Sequence, residues 1–240
     1  MAESKPSAVV LLSGGLDSVT VLAVAAAQGF AVHAMSFAYG QRHAVELDCA
    51  RRQAERFGAA AHEIVDLAHM GALVASATAL VAGSDLDVPK DRDVDHADDI
   101  PTTYVPARNT LFLSYGLAWA EAIGARHIFI GVNALDYSGY PDCRPEFIRA
   151  YEATANLATK AGVQDGPPLR IETPLQELRK HEIVALGLEH GVDYADTVSC
   201  YDPSIDADGR PLACGACDSC QLRRQGFELA GVPDPTRYVS

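Results

Sequence analysis

Residues 13–18 read Ser-Gly-Gly-Leu-Asp-Ser and follow the apolar run 8–12. A helix-compatible stretch, 19–28, comes next. A strand, a glycine loop and a helix in that order can hold a phosphate. Gly14 and Gly15 reach backbone angles closed to other residues and let the chain approach an anion closely. The free N–H groups that open the helix then point at that anion, aided by the helix dipole. Ser13 and Ser18 add hydroxyl donors. Leu12, Ser13, Gly14, Gly15, Leu16, Asp17 and Ser18 are therefore the expected nucleotide-phosphate residues. Asp17 has two uses open to it, holding Mg²⁺ or capping the helix. The loop fits neither a Walker loop nor a dinucleotide fingerprint. A bare glycine turn is the plainer reading, but the strand-first context and the two serines favour the phosphate site.

A second cluster lies near the C-terminus. Cys214-x-x-Cys217-x-x-Cys220 puts three thiols within seven residues, and Cys200 lies fourteen before the first. Closely spaced thiolates closed by a distant fourth are the pattern of a tetrahedral metal site, with sulfur about 2.3 Å from zinc. Gly215 lets the chain fold back between ligands. Four cysteines leave no open position, so the expected metal is structural: one Zn²⁺ per chain held by Cys200, Cys214, Cys217 and Cys220. A redox pair and an iron–sulfur cluster remain as alternatives, since clusters also use four thiolates. Cys49 falls within a helical stretch and reads as an inert core thiol. Cys143 stands among polar and aromatic neighbours.

These residues need a frame. Strand-like runs fall at 8–12, 31–37, 61–65 and 127–132, and helical ones at 18–28, 42–57 and 108–123. Gly29, Gly58 and Gly124 sit where C-terminal caps belong. Alternation of this kind predicts an α/β fold, a parallel sheet with helices on both faces. Ligands in such sheets bind beyond the carboxyl ends of the strands. Residues 13–18, 39–41 and 133–147 fall there. After Thr173-Pro174 the pattern changes to a helix over 176–189, an irregular loop, the cysteines and a helix over 219–230. Residues 1–174 are thus expected as the α/β domain and 175–240 as a small helical zinc-binding region packed on it. Residues 84–99 hold seven Asp and read as a solvated or flexible insertion.

The chain has 240 residues, a net charge of −13 and 48% hydrophobic residues. That is ample for a core, while the charge argues against a large nucleic-acid substrate. No run is apolar for 18 residues and the N-terminus lacks a signal-peptide core, so the expectation is a cytoplasmic protein without a membrane partner.

The 13–18 loop resembles the pyrophosphate loop of the ATP pyrophosphatases. Three more stretches narrow the resemblance: Tyr39-Gly-Gln-Arg-His43, Val105-Pro-Ala-Arg-Asn-Thr-Leu-Phe-Leu-Ser114 and Gly131-Val-Asn-Ala-Leu-Asp-Tyr-Ser-Gly-Tyr-Pro-Asp-Cys-Arg-Pro-Glu-Phe147. With the four cysteines, they resemble the 7-cyano-7-deazaguanine synthase family of queuosine biosynthesis, from about residue 9 to 224. Residues 84–99 are the main departure. The resemblance implies an adenine nucleotide α hydrolase-like, Rossmann-like fold. It implies an ATP-dependent C–N ligase that turns 7-carboxy-7-deazaguanine and ammonia into the nitrile through an acyl-adenylate and an amide. ATP, Mg²⁺ and Zn²⁺ follow as cofactors, small molecules as partners, and a homodimer as the assembly.

The implied catalytic residues are Asp17, Lys180 and Arg108. Lys180 stands in a stretch that supplies a phosphate-contacting lysine elsewhere in the superfamily, though a solvated helix lysine is the alternative. Arg108, with Asn109, would contact phosphate or substrate, or support the loop. Asn133, Asp136, Tyr137, Tyr140, Asp142 and Arg144 are the implied substrate residues. Tyrosines stack on a planar heterocycle, carboxylates accept from guanine-like N–H groups, and arginine pairs with a carboxylate through two hydrogen bonds. Competing functions are adenylation of a tRNA base, transfer of the activated acyl group to another amine, and a non-enzymatic zinc module.

Overall fold

In the computed structural model, the described residues are 5–42, 45–94, 99–133, 139–164 and 166–239. The chain runs β1 (Ser7–Leu11), α1 (Leu16–Ala27), β2 (Ala31–Ala38), α2 (Val45–Arg56), β3 (Ala61–Asp66) and α3 (Ala68–Val74). It continues through α4 (Arg108–Ile123), β4 (His127–Phe129), α5 (Pro145–Ala158), α6 (Lys160–Val163), β5 (Arg170–Glu172) and α7 (Lys180–Glu189). A hairpin of β6 (Ser204–Ile205) and β7 (Pro211–Leu212) precedes α8 (Asp218–Leu229).

Five strands form one sheet in the order β3-β2-β1-β4-β5, every pair parallel. From β1 the chain winds outward through β2 and β3, then returns to place β4 on the other side of β1. The strand order therefore reverses beside β1, and the crevice beyond its carboxyl end is where such sheets bind ligands. Residues 13–18 leave β1 at that point.

Both faces of the sheet are covered, as parallel strands require. Val9 and Leu11 face one core with Leu113 and Ala120 of α4. Ala8, Val10 and Leu12 face the other, with Val19 and Leu22 of α1. Ile183 and Val184 of α7 and Phe227 of α8 join this second core, so the last two helices lean on α1. Tyr194 locks that contact: its hydroxyl lies 2.7 Å from Thr20 Oγ1 and donates to the Ile183 carbonyl at 3.1 Å.

The expected strands and helices are present, and Gly29, Gly58 and Gly124 all have positive φ. Three features differ. Helix α7 starts at Lys180, because residues 176–179 close turns onto Thr173 and Leu175. Helices α3, α5 and α6 and strands β5, β6 and β7 had no expected counterpart. The described part of 84–99 is anchored rather than loose. Arg42 donates to the carbonyls of Ser84 and Leu86, and Val88 is buried. Among the described residues, no helix is long and apolar enough to cross a membrane.

Candidate active site

The glycine loop is clamped between two backbones. Gly14 has φ +90°, and a Cβ there would stand 2.1 Å from the Glu46 carbonyl oxygen and 2.9 Å from Ala50 N, both in α2. A Cβ on Gly15 would stand 3.2 Å from the Val198 carbonyl oxygen. Val198 N–H in turn donates to the Gly14 carbonyl at 3.2 Å. Within the clamp, hydroxyls take the loop's N–H groups. Ser18 Oγ accepts from Ser13 N at 3.1 Å and Gly14 N at 3.2 Å, and Ser13 Oγ accepts from Gly15 N at 3.2 Å. Leu16 N–H, at the head of α1, donates to Ser199 Oγ at 3.2 Å.

Asp17 turns its carboxylate to Lys180, whose Nζ lies 2.9 and 3.0 Å from the two oxygens. Its partner is thus the lysine at the head of α7 and not an N–H of α1. Gly226 of α8 makes room for the lysine stem, since a Cβ there would stand 2.5 Å from Lys180 Cγ.

A cavity of ≈ 300 Å³ opens beside the loop and is lined by Leu12, Ser13, Gly15, Leu16, Asp17 and Ser18, with Lys180, Arg108, Asn133 and Tyr140. Phe112 and Phe37 stack in its wall, ring centroids 3.8 Å apart and planes within 3°. Burial works against the Arg108 charge, but Tyr39, Tyr140 and Asp142 around it hold the guanidinium protonated. Burial pushes Glu46, at the head of α2, up to about 7, although Arg108 opposes the shift. Tyr140 is fixed by its hydroxyl, 2.9 Å from Thr103 Oγ1 and 3.4 Å from the Tyr201 hydroxyl.

The expected substrate residues divide. Tyr140 and Asn133 line the cavity, Asn133 donating to the Leu178 carbonyl at 2.5 Å. Asp142 is buried, and its Oδ2 accepts the Asn109 N–H at 3.0 Å, so it caps α4 from outside the helix. Asn109 answers by donating to the Asp142 carbonyl at 3.0 Å. Arg144 is exposed and is not among the cavity-lining residues. Asp136 and Tyr137 lie outside the described residues. Burial pushes the Cys143 thiol up to about 12, which keeps it neutral and a poor nucleophile.

Sequence reasoning missed Glu46, Ser199, Tyr201 and Phe112 as cavity residues. Glu46 lies just past the Tyr39–His43 motif, and Ser199 and Tyr201 flank Cys200. Proximity to a motif was the available signal.

The sulfurs of Cys200, Cys214, Cys217 and Cys220 all lie within 4.8 Å of one another, and those of Cys214 and Cys220 are 4.0 Å apart. Sulfurs bound to one zinc at about 2.3 Å stand about 3.8 Å apart. The donor set and its spacing therefore fit a four-thiolate metal. Hydrogen bonds from Cys200 and Cys220 pull the Cys217 thiol far below its usual range. Backbone N–H groups of Asp202 and Cys214 donate to Cys200 Sγ at 3.3 and 3.2 Å. Such donors stabilise sulfur as thiolate. Gly215, at φ +76°, makes the turn that returns the chain to Cys217.

A doubly wound parallel sheet with a serine–glycine loop at its switch point is an α/β fold whose ligand crevice lies at that loop. The family model for queuosine biosynthesis protein QueC matches residues 7–231. The 7-cyano-7-deazaguanine synthase of Desulfatibacillum aliphaticivorans is 56% identical over 241 residues, covering 99% of each chain. That of Methylococcus capsulatus is 60% identical over 234 residues, covering 97% of this chain and 99% of the other. The chain belongs to the QueC family of 7-cyano-7-deazaguanine synthases. Among solved structures, NMN synthetase from Francisella tularensis aligns with 95% of this chain and 79% of its own, at 17% identity and a TM-score of 0.49. That likeness bears on neither activity nor substrate.

The raised Glu46 gives a pH signature. A carboxyl whose folded pKa lies above its unfolded one stabilises the fold at low pH, and the contribution is lost as pH rises towards the folded value. Glu46→Gln removes that loss. The melting temperature of the variant relative to wild type is expected to climb from about pH 5 to about pH 8. A difference independent of pH would show that Glu46 is not held protonated.

Proposed function

We propose that this chain makes 7-cyano-7-deazaguanine from 7-carboxy-7-deazaguanine, ammonia and ATP, acting as an ATP-dependent ligase. The observation that carries this is one cavity that joins the glycine loop and the Asp17–Lys180 pair to Arg108 and a wall of aromatic rings. One end suits a triphosphate, the other a flat carboxylate-bearing heterocycle.

A carboxylate is a poor electrophile. Its oxygen attacks the α-phosphorus of ATP, pyrophosphate leaves, and the acyl-adenylate forms. Ammonia adds at the carbonyl carbon, a proton is lost and AMP leaves, giving the amide. The amide oxygen attacks the α-phosphorus of a second ATP and again releases pyrophosphate. Loss of AMP and two protons yields the nitrile.

Residues 13–18 hold the departing pyrophosphate once the serine hydroxyls give up the loop N–H groups they accept from, so that N–H and hydroxyl donors meet the charge that develops on the leaving group. Lys180 turns from Asp17 to the phosphates, and Asp17, so released, is the residue that would hold Mg²⁺. Mg²⁺ would supply charge neutralisation there. Arg108 pairs with the substrate carboxylate through its planar fork. Tyr140, Phe112 and Asn133 bracket the heterocycle. Asp142 acts through α4 by fixing Arg108 and Asn109. Asp136, Tyr137 and Arg144 complete the binding set from the 133–144 loop. Cys200, Cys214, Cys217 and Cys220 would hold one structural Zn²⁺.

The same reading takes the chain as a cytoplasmic homodimer of small-molecule function, with 175–240 as its zinc-binding region. Adenylation of a tRNA base is disfavoured by the −13 charge. Transfer of the acyl group to another amine shares the first step only.

Protein incubated with Mg-ATP, ammonium and the acid is expected to give AMP, pyrophosphate and the nitrile, identified by mass and by ³¹P NMR. ADP as sole nucleotide product, or an amide that goes no further, would contradict the assignment.

Arg108→Lys keeps charge but loses the two-pronged geometry. It is expected to weaken binding of the acid by about tenfold or more in calorimetric titration, while Arg144→Lys changes it less. A non-hydrolysable ATP analogue should bind both variants nearly as wild type does. The reverse order of the two arginines would move the carboxylate to the loop.

Elemental analysis is expected to find one zinc per chain. Cys214→Ser should lose the metal and melt at lower temperature, since a closed thiolate site contributes folding energy. A zinc-free variant of unchanged stability would refute the structural role.

A further inference from the structure

Between ammonia and nitrile the nitrogen loses every proton it carries, and each proton needs an acceptor. A side chain held beside the reacting nitrogen takes it faster than water does.

Few groups of the cavity suit the task. Three carboxyl groups line it among the described residues: Asp17, Glu46 and Asp218. Asp17 is bonded to Lys180 Nζ at 2.9 and 3.0 Å. Asp218 accepts from Arg92 at 2.9 Å. Burial keeps the hydroxyls of Tyr39, Tyr140 and Tyr201 and the Cys143 thiol protonated, so they are poor acceptors. No histidine lines the cavity among the described residues.

Glu46 is left. Its carboxyl takes no hydrogen bond or ion pair among the described residues. Its own carbonyl packs on the glycine loop, where a Cβ on Gly14 would stand 2.1 Å away. The side chain therefore starts from the wall of the loop and shares the cavity with Arg108. Burial raises this carboxyl to about 7, against the pull of Arg108. A base whose pKa lies near the working pH both carries its charge and takes a proton readily. The other titratable groups that face it are Tyr39 beyond β2 and Cys49 on α2, and burial moves both upward, away from neutrality. Arg42, ahead of α2, turns instead to the Ser84 and Leu86 carbonyls at 3.2 and 2.8 Å.

We propose that Glu46 accepts the nitrogen's protons in both halves of the reaction, an inference that rests on the ligase reading above. In the first half, ammonia forms the C–N bond to the acyl-adenylate, and an N–H proton of the adduct passes to the Glu46 carboxylate. The carbonyl re-forms, the C–O bond to AMP breaks, and AMP keeps the electron pair. In the second half, the adenylated amide gives its two N–H protons in turn to the same carboxylate as the nitrile forms and AMP leaves. Glu46 returns each proton to solvent before it takes the next.

The test compares the wild-type protein with Glu46→Gln in separate steps. Exchange of labelled pyrophosphate into ATP, with the acid present and ammonium absent, reads the acyl-adenylate alone. It is expected to stay close to the wild-type rate. Amide formation from ammonium, and nitrile formation from the isolated amide, are each expected to fall about a hundredfold at about pH 8. The ratio of wild type to variant in the amide step cancels the change in free ammonia with pH. It is expected to widen from about pH 6 to about pH 8, because the carboxylate is available only as pH rises past about 7. Equal losses in exchange and in amide formation would place Glu46 on ligand binding and overturn the proton role, with the ligase reading intact. Amide or nitrile formation at the wild-type rate, or a ratio constant with pH, would overturn it as well. Wild-type protein that shows no exchange with the acid would overturn the ligase reading itself.

Discussion

Backbone against backbone at Gly14 is the contact on which the site depends. The loop leaves β1 and must pass between α2 and the 197–200 segment, with no room for a side chain at Gly14 and a tight fit at Gly15. This fixes the loop to the Glu46 carbonyl on one flank and to Val198 on the other. Interiors packed this closely transmit displacement and do not absorb it. Whatever holds α2 and residues 197–200 in place therefore also holds the glycine loop. For the second flank that support is Arg223, only 2% exposed. Its guanidinium donates to Thr197 Oγ1, the Tyr194 carbonyl and Asp234, and it lies over the Phe227 ring. A buried cation so fully bonded stabilises one arrangement of the chain around it.

Charge is distributed unevenly for the same reason. The molecule as a whole is strongly acidic, but Lys180 and Arg108 both face the cavity. Neither is free: Asp17 holds the first, while Tyr39, Tyr140 and Asp142 surround the second. Paired cations that can exchange partners suit a site whose ligands arrive as anions and leave as anions. A lysine already bonded to one carboxylate exchanges one charged contact for another, so the cost of desolvating it is met before the ligand arrives.

How much of this was legible in the sequence follows from how local each signal is. The 13–18 loop is six consecutive residues and the cysteines fall within twenty-one, and the structure sets the loop at the end of β1 and brings the four thiols together. Strands β1 to β4 announced themselves by apolar runs. Strand β5 has three residues, too short for a periodic signal, and becomes a strand only because β4 lies beside it. Asp142 was read as a ligand group because its type suits guanine, yet one of its oxygens caps α4, a helix that begins thirty-four residues earlier in the chain. Ser199 carries no motif of its own. Its contact with Leu16 spans 183 residues, and no periodicity records such a pairing. Residues 84–99 misled for a related reason: seven aspartates suggest solvent, but the described part of that segment is anchored by Arg42, Arg92 and a buried valine.

The thiol cluster also stands nearer to the chemistry than a structural metal needs to. Cys200 is itself a wall of the main cavity. The residue before it gives α1 its hydroxyl acceptor, and the residue after it, Tyr201, meets Tyr140 across the cavity. Three consecutive residues thus face the glycine loop, the thiols and the aromatic wall. A ligand set that fixes Cys200 fixes Ser199 and Tyr201 within the reach of one peptide unit on each side. The cluster, the loop and the aromatic wall therefore form one connected arrangement. Positioning to a fraction of an ångström is what reactions between two bound ligands require. In this fold, a metal without an open coordination position would contribute to the reaction by holding the backbone beside it.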